Sequence, residues 1–182
     1  LRDIRANTDI GETTFYEYVA ALKKLFVIQD IEAWCPAIRS KSSIQSGNKR
    51  EFVDPSLVVS ALGVEPDYFN LDLKTFGFIF ETLCIRDLKI YSNALGGRVS
   101  YYRDRYGLEA DCVLHLRDGK YALIEFKLGS SEIDEGAKHL NEIEKLVEEY
   151  NKTEKQCLLR APDLKIVITG TQYGYKRPDG VY

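Results

Sequence analysis

The chain has 182 residues, with 25 Lys and Arg against 28 Asp and Glu, for a formal net charge of −3. That balance excludes a protein that coats nucleic acid by bulk positive charge, because such binding needs many unopposed cations on phosphate; local basic patches stay open. Hydrophobic residues at 45% and charged residues at 29% describe a globular chain with a core, not a disordered or fibrous one.

The chain opens at Leu1 and contains no Met, which is read as a piece of a longer polypeptide. Leu1 to Ala6 reads as a helix remnant, and Asn7 to Thr13 supplies turn and capping residues. Phe15, Val19, Leu22 and Phe26 then recur at helical spacing and predict a second helix with one apolar face. Val27 to Trp34 alternates like a strand, and Glu51-Phe52-Val53 predicts another. Between them, Arg39 to Arg50 is a polar loop with four positive charges and no negative one. Helix, turn, helix and a two-stranded hairpin with a basic loop describe a winged helix over residues 1–63. Such a unit either binds DNA, with Lys49 and Arg50 on its wing meeting phosphate, or acts as a spacer with a solvated loop. Its 8 basic and 8 acidic residues give no domain-wide field, so only the loop is left to engage phosphate.

Residues 64–182 form the second predicted domain, an α/β unit. Its expected elements are a long helix from Leu71 to Tyr91 and strands at Arg98 to Arg103, Glu109 to Leu116 and Lys120 to Leu128. A helix from Glu132 to Tyr150 and a strand at Leu164 to Thr169 follow. Arg117-Asp118-Gly119 is a hairpin turn between two alternating runs. Leu140, Ile143, Val147 and Tyr150 repeat every three or four residues, leaving Glu142, Lys145, Glu149 and Lys152 outside. Gly180-Val181-Tyr182 reads as the beginning of a further strand.

Strand alternation brings chemistry to one place. Glu125 and Lys127 share a face, as do Glu109 and Asp111 on the preceding strand, so an in-register hairpin gathers Asp111, Glu125 and Lys127. Adjacent carboxylates repel, and a hard divalent cation is the usual relief. Mg²⁺ held this way suits phosphodiester hydrolysis, with a lysine beside the reacting phosphate. Phe76 to Ile85 is apolar nearly all round, which predicts a helix packed on both sides and a Glu81 with little access to water. Glu81 then reaches the polar cluster, a base such as Arg86 or Lys127, or a backbone amide.

Arg98, Arg103 and Arg105, interleaved with Tyr101, Tyr102 and Tyr106, form a candidate phosphate-facing edge; one of Tyr101 and Tyr102 is read as packing and the other is left open. His115 and His139 are read as satisfied polar residues, not ligands, and Cys112 as a core residue facing away from Asp111. Gly170 to Gly174 is too short a pattern for a phosphate loop. Cys35, Cys84, Cys112 and Cys157 stand far apart with only two histidines in the chain, which argues against a structural zinc and a disulfide framework. No apolar run reaches the roughly 18 residues of a membrane span, which points to the cytoplasm and no membrane partner.

Glu81 on a helix, Asp111 on one strand and Ile124-Glu125-Phe126-Lys127 on the next resemble the PD-(D/E)xK nuclease superfamily, which has the restriction-endonuclease fold. The wider order adds Glu51-Phe52-Val53-Asp54-Pro55-Ser56-Leu57 and Gly107-Leu108-Glu109-Ala110-Asp111 after a helix-turn-helix. That order is similar to the uncharacterised C-terminal domain behind the ATPase core in one family of prokaryotic AAA+ ATPases. The resemblance implies a restriction-endonuclease-like mixed sheet flanked by helices. It also implies metal binding by Asp111 and Glu125, an accessory role for Glu81 and the catalytic lysine role for Lys127. Ala110 stands where the family carries Pro, and Glu109 is an extra acid. The chain has no P-loop motif, so ATP would bind only in an N-terminal ATPase core, which would also be a partner. The expected function is a nuclease-like, DNA-binding module with Mg²⁺-dependent cleavage. The alternative is an inactive nuclease fold serving protein–protein interaction or ATPase regulation.

Overall fold

The computed structural model describes residues 10–34, 47–154 and 157–182. The helix remnant at Leu1 to Ala6 and the basic loop from Arg39 to Ser46 lie outside those residues. Helix α1 (Glu12–Lys24) follows the spacing of Phe15, Val19 and Leu22, with Lys23 and Lys24 at the end where the helix dipole favours cations. The helix stops before Phe26, which was expected to extend its apolar face. Phe26 sits at φ +57°, and the Val27 amide donates back to the Leu22 carbonyl as the chain reverses. Only Phe15 is buried in α1, while Phe26 is 77% exposed.

The strand expected over Val27 to Trp34 is shorter. Strand β1 (Ile28–Ile31) pairs antiparallel with β2 (Lys49–Phe52), Ile28 opposite Phe52 and Ile31 opposite Lys49. Past Ile31 the backbone leaves β2, and the Trp34 amide donates to the Tyr101 carbonyl at 2.7 Å. Because β2 begins two residues before the expected Glu51, Lys49 and Arg50 are strand residues and not loop residues. Alternation therefore sends their side chains to opposite faces.

Helix α2 (Pro55–Leu62) was not expected as an element. Its ends are nonetheless encoded: Asp54 accepts from the Ser56 amide, Pro55 needs no donor at the first turn, and Gly63 takes φ +63°, which a side chain would strain. A 3-10 turn (Pro66–Asn70) leads to α3 (Leu73–Ala94). Asp72 caps α3 through the Thr75 amide, which sets its start after Leu71, and the helix runs three residues past Tyr91 before Gly96 turns at φ +70°. The expectation that α3 is packed on both sides does not hold. Ile79, Thr82 and Ile85 face inward, while Phe78 on the other side is 60% exposed.

The larger sheet contains β3 (Arg98–Arg103), β4 (Glu109–His115), β5 (Tyr121–Lys127) and β6 (Leu164–Thr169) in that order. The first three are antiparallel neighbours. At the turn joining β4 and β5 the Leu116 amide donates to the Lys120 carbonyl, with Gly119 at φ +84°. Strands β5 and β6 are parallel, which requires a crossover, and α4 (Ile133–Thr153) supplies it. Leu140, Ile143 and Val147 of α4 are buried as its periodicity predicts. They belong to the core that holds Val113, Leu123 and Val167, whereas Ile85 of α3 shares the second core with Cys112, Ala122, Ile124 and Phe126. Burying each such aliphatic side chain is worth about 1.5–3 kcal/mol. The terminal segment is not a strand element, although the Tyr182 amide donates to the Lys165 carbonyl, the Val167 amide donates to the Tyr182 carbonyl, and Val181 is fully buried. The whole is a mixed α/β fold with two sheets and, among the described residues, four α-helices. No helix among those residues is long and apolar enough to cross a membrane.

Candidate functional site

Cys112 pairs with Ile124, so one step further along the ladder Asp111 stands opposite Glu125, as an in-register hairpin requires. Asp111 ends that pairing by taking the Phe126 amide on Oδ2 at 2.9 Å. Glu125, only 3% exposed, lies with Oε2 3.2 Å from Lys127 Nζ and Oε1 3.8 Å from His139 Nδ1. Burial, and then the neighbouring Asp111 charge, push the Glu125 carboxyl up to about 8, against the pull of Lys127. Burial opposes charge on Lys127 as well, but the Glu125 and Asp111 carboxylates outweigh it and raise its pKa.

Glu81 projects from α3 and, of the anticipated alternatives, reaches the polar cluster at Asp111 through a base, although that base is neither Arg86 nor Lys127. Arg86 is held by Asp54 and Asp87, and Glu81 pairs with Lys49. The Lys49 ammonium also lies 3.8 Å from Glu51 Oε1 and 3.9 Å from Asp111 Oδ1. Two of these acids are fixed independently of it: the Thr82 hydroxyl donates to Glu51 Oε2 at 3.2 Å, and the Phe126 amide holds Asp111. One ammonium facing several carboxylates explains why Glu51, Glu81 and Lys49 shift the same way. Lys49 overcomes burial and rises, chiefly through Glu81, because three negative charges hold its proton. Burial drives Glu81 up to about 7 and also raises Glu51, because a single positive charge is shared among them.

Asp111 is thus the hinge of two groups, with Glu81, Glu51 and Lys49 on one side and Glu125, Lys127 and His139 on the other. The structure brings Asp111, Glu125 and Lys127 to one face and bridges Glu81 to Asp111 through Lys49. Among the described residues, no group of three or more His, Cys, Asp or Glu side chains is arranged to hold a metal ion. Mg²⁺ requires oxygens at about 2.0–2.1 Å in an octahedron. The point where Glu51, Glu81 and Asp111 converge is already taken by an ammonium, so this arrangement does not fit a divalent ion. Sequence reading missed Lys49 and Glu51 as members of the cluster, though their spacing by two in a strand was a usable sign; the closeness of His139 to Glu125 comes from the α4 crossover and has no local sign.

The four basic residues assigned to nucleic acid divide by direction. Lys49 turns inward, and Arg50 pairs through Nε with Asp30 Oδ1 at 3.0 Å while its Nη1 is buried. Arg103 is 61% exposed and pairs with Glu109 at 2.9 Å, and Arg105 lies over the exposed Tyr106 ring. Tyr101 is a core residue, and Tyr102 is half-buried with an edge contact to Trp34. His115 pairs with Ser100 at 3.2 Å, and Cys112 is buried opposite Asp111. A cleft of about 1490 Å³ runs past Glu81 and Asp111 to Arg103 and Arg105. Among the described residues its lining sets Lys49, Arg50, Arg103 and Arg105 against Glu51, Glu81, Asp104, Glu109 and Asp111, so those residues carry no excess of positive charge.

Residues 76–181 match the family described as Domain of unknown function (DUF4143), more than half of the chain, and residues 1–68 match another described as Domain of unknown function (DUF8612). No curated protein and no solved structure matches the chain.

Proposed function

The chain belongs to the family of the Domain of unknown function (DUF4143), and from that premise we propose that it is a nuclease-like accessory module of an AAA+ ATPase that binds and regulates without cutting. In this reading residues 1–63 act as a winged-helix-like unit and residues 64–182 as a restriction-endonuclease-like frame whose contact is with the ATPase core. The observation that carries it is the Lys49 ammonium among Glu51, Glu81 and Asp111, which sets a protein cation beside two of the three acids that a nuclease would use for metal. The lack of excess positive charge among the described residues of the cleft supports the same reading, since a cleaving groove must first attract phosphate.

The contribution of this chain's own residues is then positional. Lys127 and Glu125 hold each other at the sheet end, Asp111 fixes the opening between β4 and β5, and Arg103 and Arg105 present the outward charge. Single- and double-stranded DNA should survive incubation with the chain in Mg²⁺ or Mn²⁺, with no difference between wild type and Lys127→Ala. Divalent-dependent cleavage that Lys127→Ala abolishes would overturn the proposal and restore the nuclease reading. A DNA contact without cleavage has one specific support, the exposed Arg103 and Arg105. Replacing both by Ala should flatten the salt dependence of duplex binding by about one phosphate contact per residue if they touch DNA.

A further inference from the structure

We propose that the Lys49 ammonium is the resident cation of the Glu51, Glu81 and Asp111 cluster, fastening the β1–β2 hairpin to the larger sheet and excluding divalent metal. The inference concerns the same cluster as the proposed function and rests on the same ion pairs, but it is read by metal binding and not by cleavage.

The three acids come from three elements, β2, α3 and β4, and among the described residues the positive side chain within 4 Å of them is Lys49. Its delivery is built into β2: spacing by two places Lys49 and Glu51 on one face, while Arg50 between them turns to Asp30. The approach is fixed at a second point. The hydroxyl of the buried Tyr101 donates to the carbonyl of Gly47, two residues before Lys49, so the strand is tied to β3 just upstream of the ammonium. The receiving side is oriented as well, with Thr82 on Glu51 and the Phe126 amide on Asp111.

An ammonium and a divalent ion cannot share this point. The metal needs oxygen lone pairs that the ammonium is using, and a displaced lysine would remain beside a doubly charged ion in a half-buried site. Removing Lys49 leaves three close carboxylates with no cation, the arrangement for which a divalent ion is the usual relief. Lys49 is therefore a lock in two senses: it closes the hairpin on the sheet and it decides which cation the cluster holds.

The test is Mn²⁺ titration of the whole chain, reading free Mn²⁺ by electron paramagnetic resonance. Wild type is expected to show no saturable site in the low millimolar range, and Lys49→Ala to gain one, tighter by about tenfold or more, or about 1.4 kcal/mol. Adding Asp111→Asn to Lys49→Ala should remove the gain. Saturable binding to wild type as tight as to Lys49→Ala would overturn the proposal, as would a folded Lys49→Ala that gains nothing. Should Lys49→Ala fail to fold, Lys49→Met keeps the aliphatic stem without the charge and takes the same titration. The wild-type measurement needs no variant, and a saturable Mn²⁺ site there would by itself overturn the exclusion of metal. DNA that survives Mg²⁺ while wild type binds Mn²⁺ would defeat this inference and leave the absence of cleavage standing, whereas divalent-dependent cleavage would defeat both, because the nuclease reading puts metal on Asp111.

Discussion

Glu125 holds a carboxyl where water hardly reaches, beside Asp111, with Lys127 as its near cation, and this has a consequence for stability. Its folded value of about 8 stands above the ordinary 4.5, so between those limits the folded chain keeps a proton that the unfolded chain has released. Fewer protons on the unfolded state mean that stability falls as pH rises through this window, and that the full contribution is present only below 4.5. Glu81, raised to about 7 chiefly by burial, adds to the same slope. Glu125→Gln removes one titrating group and should flatten the fall in denaturant midpoint measured from acidic to mildly alkaline pH. A slope identical to wild type would mean that Glu125 does not titrate as its surroundings require. The face shared by Asp111, Glu125 and Lys127 was legible because alternation in two strands joined by a short turn is local. The partnership of Lys49 with Glu81 was not, because it joins residues 32 apart in sequence through a strand whose start was read two residues too late.

At the scale of elements, α4 was readable because its apolar spacing persists over several turns, whereas the eight-residue α2 offers too little periodicity to separate it from a turn. Its identity lies in its ends. Asp54 caps the Ser56 amide and also pairs with Arg86 of α3 at 2.7 Å, so one carboxylate both starts α2 and ties it to α3. Asp54→Ala loses both and should lower the urea midpoint. Asp54→Asn keeps a capping oxygen and should cost less; equal losses from the two variants, measured by urea denaturation, would show that the cap contributes little. Leu140, fully buried on α4, offers a contrast in which packing and not capping decides: Leu140→Ala should cost about 2–5 kcal/mol by the same measurement. A loss below 1 kcal/mol would mean that the core around Leu123 and Val167 closes over the space.

For the molecule as a whole, the division at residue 63 that composition suggests says little about how the parts unfold. Ile31 at the end of β1 is 2% exposed and belongs to the core of Ile85, Cys112 and Ile124, and the Glu32 and Tyr101 backbones are joined by a hydrogen bond of 3.1 Å. The N-terminal hairpin therefore borrows its hydrophobic burial from the larger sheet, and Lys49 adds an ionic link at its other strand. A two-stranded hairpin alone is marginal in water, so it should not persist once that sheet opens. Trp34, the one tryptophan in the chain, is a local reporter of this junction, with its ring 4.7 Å from that of Tyr121 and 6.3 Å from that of Tyr102. The far-ultraviolet dichroism is dominated by the two long helices α3 and α4, which report the larger unit. Thermal unfolding followed by Trp34 fluorescence and by dichroism should coincide, which is the mark of a single cooperative transition. Ile31→Ala should shift both curves together, by a stability loss of about 2–5 kcal/mol, because the cavity opens in a shared core. If fluorescence changes first and dichroism follows at higher temperature, the hairpin is a separate unit that docks on the sheet, and Lys49 would then be a docking contact that can open without unfolding the rest.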